Sequence, residues 1–143
     1  MYEIVPNIFL SSFRDLDIDS SWLVVNCTKD LPMKGFGLRI PVDDAPDENS
    51  KMYDAFHKVV PWIRDHQNQK IVIHCAAGQQ RSAAVVAAYL LSEYHPQVQL
   101  NNVIAYMKSK KHDAFLNHET FRPALEKWIT FLVSRESPSR IIE

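Results

Sequence analysis

Nine consecutive apolar residues, Ala83 to Leu91, open a helical stretch that runs to Tyr94 and is apolar on nearly every side. A helix without a polar face has to be buried all round, so other elements must enclose it. A short polar loop separates it from a second apolar segment, Ile71 to His74, which reads as a strand after the turn Asn68-Gln69-Lys70. A buried strand feeding a buried helix is the unit from which α/β folds are built.

The flanking sequence supplies what such a unit needs. Met52, Ala55, Phe56, Val59, Val60 and Ile63 recur at helical spacing and predict an amphipathic helix over Lys51 to His66, with Ser50 as its cap. Pro61 falls inside it and removes one internal hydrogen bond. Before it lie four short stretches rich in β-branched and aromatic residues: Tyr2 to Val5, Ile8 to Leu10, Trp22 to Val25 and Leu38 to Val42. After Pro96, Leu100, Val103, Ile104 and Met107 mark a third helix; Phe121, Leu125, Trp128, Ile129 and Leu132 mark a fourth. Trp62 and Trp128 are read as core. The predicted fold is α/β, a central, mostly parallel, twisted sheet flanked by helices, with a site beyond the carboxyl ends of the strands. At 143 residues the chain fits one domain, read as 1–135 with a short tail at 136–143.

Composition narrows the class. Apolar residues at 46% suffice for a core without metals or disulfides, and a net charge of −1 argues against a general nucleic-acid or membrane-surface binder. The longest apolar run is too short to span a bilayer, and the N-terminus lacks a signal-peptide pattern. The two cysteines, Cys27 and Cys75, make no disulfide scaffold and read as reduced thiols of an intracellular protein. His57, His66, His74, His95, His112 and His118 show no metal-binding spacing, so neither metal nor cofactor is expected.

The chemistry concentrates in His74-Cys75-Ala76-Ala77-Gly78-Gln79-Gln80-Arg81-Ser82. A cysteine at a strand end, followed by a tight loop into a helix N-terminus, sits at the positive end of the helix dipole. The N–H groups of Ala76, Ala77, Gly78, Gln79 and Gln80 can converge on one anion, and the same field favours a thiolate. Arg81, six residues after Cys75, can turn back and hold two oxygens of a tetrahedral oxyanion in its planar fork. Gly78, one of only three glycines, gives the loop a permissive backbone position. Ser82 can donate to the sulfur. His74 reads as structural, bonded behind the loop. The set suits phosphate-ester hydrolysis through a phosphocysteine, which also needs an acid for the departing oxygen. The segment Asp43-Asp44-Ala45-Pro46-Asp47-Glu48, after a strand expected to neighbour the cysteine strand, offers Asp43, Asp44 and Asp47.

HCAAGQQRS resembles the His-Cys-x-x-Gly-x-x-Arg-Ser signature of cysteine-based protein phosphatases, and the likeness to the small dual-specificity phosphatases runs nearly end to end through EIVPNIFLSS, LVVNCTKDLP, RIPVDD and HDAFL. The resemblance implies a cysteine-phosphatase fold and an active, metal-independent enzyme, with Asp44 as the acid. It implies a shallow pocket accepting phosphotyrosine, phosphoserine and phosphothreonine in proteins, because the pocket-deepening N-terminal segments of the tyrosine-specific relatives are not found ahead of the first strand. It also suggests Cys27 as a redox partner of Cys75. The chain departs from the family at Gln79 and Gln80, and at His112, which stands where the usual Asn would brace the loop. A phosphorylated protein is the expected partner of a monomer, with no nucleic acid or membrane. RNA 5′-triphosphate or phosphoinositide substrates are the alternative, disfavoured by the neutral Ala76, Ala77, Gln79 and Gln80. A sulfur carrier, an arsenate reductase and a non-catalytic phospho-binding adaptor fit less well. Lys108, Lys110 and Lys111 are read as a solvated basic face.

Overall fold

The computed structural model describes residues 1–142, with side chains as far as Arg135. Its strands are β1 (Tyr2–Val5), β2 (Ile8–Ser12), β3 (Leu23–Asn26), β4 (Gly37–Arg39) and β5 (Ile71–Cys75). Its α-helices are α1 (Asn49–Asp65), α2 (Arg81–Glu93), α3 (Leu100–Lys110) and α4 (Arg122–Ile142), and a short 3-10 turn, Pro46–Glu48, leads into α1. The tail expected at 136–143 lies outside the residues described in full.

The strands form one sheet in the order β1-β2-β5-β3-β4. Only the β1–β2 pair is antiparallel; β2–β5, β5–β3 and β3–β4 run parallel. The last strand in sequence is therefore the middle one in space, and it carries Cys75 at its carboxyl end. Four parallel strands deliver their ends to the same edge, where Ser12 pairs in register with Cys75 and Asn26 with His74. That edge is where an open α/β sheet places its site.

Side-chain alternation splits the sheet into two faces. Ile8, Leu10, Leu23, Val25, Ile71, Ile73 and Cys75 join the main core with the helices. Helix α2, buried from Ser82 to Leu91, lies at the centre of that layer, packed on β5 and β2 and touched by α1, α3 and α4. The alternate residues Val24 and Val72, fully buried yet outside that cluster, belong to the other face. Loops close it: Trp22 meets Phe9 edge-on at 4.8 Å, and Gly35 lies so close to Val24 that an added Cβ would stand 3.0 Å from its methyl.

Several local expectations are corrected. β4 is three residues long and pairs with β3, so it does not neighbour the cysteine strand; the segment beyond Arg39 instead leaves the sheet towards the loop after β5. α1 starts at Asn49 and makes no side-chain cap through Ser50, because the 3-10 turn feeds it directly. It continues through the exposed Pro61. Trp62 is half-buried, packed against the edge of the core and the His66 ring rather than enclosed within it. Lys111 is not part of a solvated face: it is buried, paired with Asp113, and lies 5.7 Å from the centre of the Tyr2 ring.

Candidate active site

The loop after β5 is built around the sulfur of Cys75. The Gly78 N–H donates to Sγ at 3.3 Å, and Ser82 Oγ lies 3.2 Å from it. Gly78 holds φ at +72°, a conformation that L side chains rarely adopt. Any Cβ there would stand 2.6 Å from the Ser11 backbone at the end of β2. Glycine is thus required twice, by its dihedral and by the neighbouring strand. A backbone bond from Phe13 N–H to Ala76 C=O (3.1 Å) continues the β2–β5 pairing into the loop.

Arg81 opens α2 and reaches back across the edge of the sheet, its Nη1 donating to Val42 C=O at 3.1 Å. Its Nε is buried without a protein partner among the described residues. A buried guanidinium N–H left unbonded is costly, unless a ligand or water takes it. His74 is fully buried behind the loop, with Nδ1 3.3 Å from the Cys75 carbonyl. Burial holds its imidazole below the ordinary 6.5, the charge of Arg39 adding to the effect and the Cys75 carbonyl opposing it.

Gln79 and Gln80 turn their side chains away from the sulfur. Gln79 Nε2 donates to Asp113 Oδ2 at 3.2 Å, and its carbonyl accepts from Phe115 N–H at 2.8 Å. Gln80, only 3% exposed, donates from Nε2 to His118 C=O (2.8 Å) and Leu116 C=O (3.4 Å) and accepts from Thr120 N–H (3.2 Å). The bracing that His112 does not supply, being exposed, is carried from the other side by these two amides. The sequence marked both positions as unusual without revealing this use, since the bonded groups lie 34 to 40 residues away.

The acidic segment separates into unlike members. Asp43 Oδ2 is 2.8 Å from Lys29 Nζ, and that hydrogen bond holds its carboxyl below the ordinary carboxylate value. Glu48 is buried, accepts the Asp43 N–H at 3.0 Å and pairs with Lys51 at 3.1 Å. The Asp43 N–H and then the Lys51 bond keep its carboxyl low as well. Asp44 is exposed, and its side chain has no hydrogen bond or ion pair among the described residues.

Cys27 directly follows β3, and its N–H donates to His74 C=O at 2.8 Å. The parallel register that opposes Asn26 to His74 brings Cys27 beside Cys75 on the same face of the sheet. Both are free thiols. Burial pushes the Cys27 thiol up, the nearby Cys75 adds to this, and Arg81 opposes it. Among the described residues no His, Cys, Asp and Glu side chains group to hold a metal, and no helix is long and apolar enough to cross a membrane. An apolar cavity of about 290 Å³ lies elsewhere, between β1, α2 and α3, against Leu90, Tyr94 and Tyr106.

The family described as dual specificity phosphatase, catalytic domain, matches residues 10–130. A dual specificity protein phosphatase of vaccinia virus (strain Copenhagen) is 31% identical over 143 aligned residues, covering 90% of this chain and 82% of that protein. Human dual specificity protein phosphatase 9 is 30% identical over 123 residues, covering 76% of this chain and 31% of that protein. Among solved structures, human DUSP28 superposes with a TM-score of 0.81 at 23% identity, covering 95% of this chain and all of that one. DUSP15 does so at 0.72 and 22%, covering 93% and 94%. These two show the shared fold, while the family match and the viral relative show descent: the chain belongs to the dual specificity phosphatases.

Proposed function

We propose that this phosphatase works through Cys75 as nucleophile, Arg81 as phosphate clamp, Asp44 as general acid and Ser82 as partner of the leaving sulfur. The thiolate attacks phosphorus, an S–P bond forms, and the P–O bond to the substrate breaks. The Asp44 proton goes to the departing oxygen. The N–H groups of Ala76, Ala77, Gln79 and Gln80, together with Arg81, hold the equatorial oxygens in transit. Water then attacks phosphorus and gives its proton to the Asp44 carboxylate. The S–P bond breaks, and Ser82 and the Gly78 N–H receive the negative sulfur.

One observation carries this reading. The sulfur is gripped by Ser82 and Gly78 at the end of the central strand, while the Arg81 guanidinium, from the first residue of the helix that follows, keeps a buried N–H unbonded among the described residues. Protein substrates are favoured over RNA 5′-triphosphate or phosphoinositides because the exposed loop positions are Ala76 and Ala77 and the two glutamines face inward, which leaves Arg81 the only cation in the loop. The exposure of Ala76 and Ala77 also fits a shallow mouth open to phosphoserine and phosphothreonine as well as phosphotyrosine. Protein quenched during turnover of a phosphopeptide should carry phosphate on Cys75 by mass spectrometry. A Cys75→Ser variant should carry none while still binding the peptide. Phosphate on another residue, or turnover without any adduct, overturns the assignment.

Cys27 has a place in the same reading. Peroxide oxidises the Cys75 thiolate to a sulfenic acid, releasing hydroxide; the Cys27 sulfur then attacks that sulfur, and water leaves as the S–S bond forms. The lateral register of parallel strands, about 4.8 Å apart, suits the Cα separation of a disulfide. After mild peroxide, a Cys27–Cys75 bridge should appear in non-reducing peptide maps. Only sulfenic, sulfinic or sulfonic acid on Cys75, without the bridge, would refute it.

A further inference from the structure

The acid loop is tied at both ends to the phosphate loop. At its start, Arg81 donates to Val42 C=O at 3.1 Å. At its end the tie runs through two side-chain amides. Asn49 Nδ2 donates to Pro46 C=O (2.9 Å) inside the acid loop and to Thr120 C=O (2.9 Å) across the molecule. The N–H of that same Thr120 donates to Gln80 Oε1 (3.2 Å) in the phosphate loop. Asn49 Oδ1 meanwhile accepts from Ala124 N–H (2.9 Å), satisfying a free donor in the first turn of α4. Both hydrogens and one oxygen lone pair of the Asn49 amide are therefore engaged. Between the two ties stands Asp44, whose carboxyl is bonded to nothing among the described residues.

We infer that Asn49 and Gln80 form a strut that fixes the acid loop's distance from the phosphate loop, and that Asn49 is a positioning residue for the general acid. The inference rests on reading Asp44 as that acid. Its energetic logic is that a carboxyl free to swing protonates a leaving oxygen efficiently only if its backbone is held. A strut of this kind matters for esters whose leaving oxygen needs a proton and matters little for those that leave unaided.

Asn49→Asp separates the positioning role from a structural one. The aspartate keeps an acceptor for Ala124 N–H, favoured at a helix N-terminus, and gives up both donated bonds. Its melting temperature should fall modestly, because a carboxylate oxygen then faces the Pro46 and Thr120 carbonyls, and that of Asn49→Ala, which also loses the Ala124 bond, should fall as well. For phenyl phosphate, a poor leaving group, Asn49→Asp should lower kcat/KM about tenfold, and for 4-nitrophenyl phosphate less than about twofold. Alkylation of Cys75 by iodoacetamide should proceed at an unchanged rate. Asp44→Asn measured beside it should show the same leaving-group split, only larger. If Asp44→Asn shows the split and Asn49→Asp does not, the strut is refuted and the acid stands. If only Asn49→Asp shows it, the strut stands and the acid is another residue of the same loop. Equal losses on both substrates, or a collapsed fold, would make Asn49 structural and overturn the inference.

Discussion

The two loops that face each other at the carboxyl edge of the sheet are held in opposite ways. In the phosphate loop the turn and its polar side chains other than Arg81 are committed: Gly78 is wedged against Ser11, Ser82 and the Gly78 N–H are on the sulfur, and Gln79 and Gln80 are bonded to the segment beyond α3. In the acid loop the backbone is anchored at Val42 and Pro46, but the Asp44 carboxyl between them has no partner. A nucleophile gains from rigidity, because its charge is stabilised by fixed dipoles. An acid that must follow a departing oxygen gains from local freedom on a fixed base. The site combines the two by bracing one loop from within and the other from its ends.

The sharpest way to break this contrast is to remove the free carboxyl and a tied one in turn. Asp44→Asn should slow hydrolysis of phosphopeptides by about 10² to 10⁴, with a smaller loss for activated aryl phosphates. Asp43→Asn should change kcat by less than about threefold, because the exposed Lys29–Asp43 pair is screened by solvent. Steady-state kinetics on both substrate types decides. Were the two losses exchanged, the carboxyl engaged by Lys29 would be the acid and the contrast would fail.

A smaller but still large effect should follow from loosening the phosphate loop. Gly78→Ala meets a left-handed backbone, costing about 1–2 kcal/mol, and also a clash with Ser11. If the loop yields by as little as an ångström, activity should fall on the order of 10². Unlike Asp44→Asn, the loss should be equal for good and poor leaving groups, and vanadate should bind more weakly. A leaving-group-dependent loss would mean that the two loops are not separate devices.

The smallest effect concerns pH. His74 is held neutral below its ordinary 6.5 mainly by burial, so the unfolded chain takes up the proton more readily than the folded one. Its contribution to stability is complete above pH 6.5 and is lost progressively as the pH falls from there towards the lowered native value. Melting temperatures taken from about pH 7.5 down to about pH 5.5 should fall, and His74→Asn should flatten part of that slope. An unchanged slope would remove His74 from the support behind the loop.

What could be read in advance followed the range of the interactions. The unit from Ile71 to Leu91 was legible because a buried strand, a glycine turn and an apolar helix are specified within a score of residues, and Cys75, Arg81 and Ser82 came with it. For the acid, the residues by themselves offered Asp43, Asp44 and Asp47, and only the family resemblance favoured Asp44, since carboxylates in one exposed segment have the same local signals. Lys29, which ties up Asp43, sits 14 residues upstream. Lys111 looked solvated because nothing nearby in sequence announces its burial beside Tyr2.

Sequence alone determined the fold class and singled out Cys75 and Arg81 as candidates for nucleophile and phosphate clamp, since apolar periodicity and a loop motif act over short stretches of chain. The tertiary structure decided which strand is central, that Asp43 and Glu48 are engaged while Asp44 is not, and what braces the loops. The reason is one of reach: β4 is kept from β5 by β3, and Asn49 meets a carbonyl 71 residues away, in bonds that exist only once the sheet and helices have closed around them.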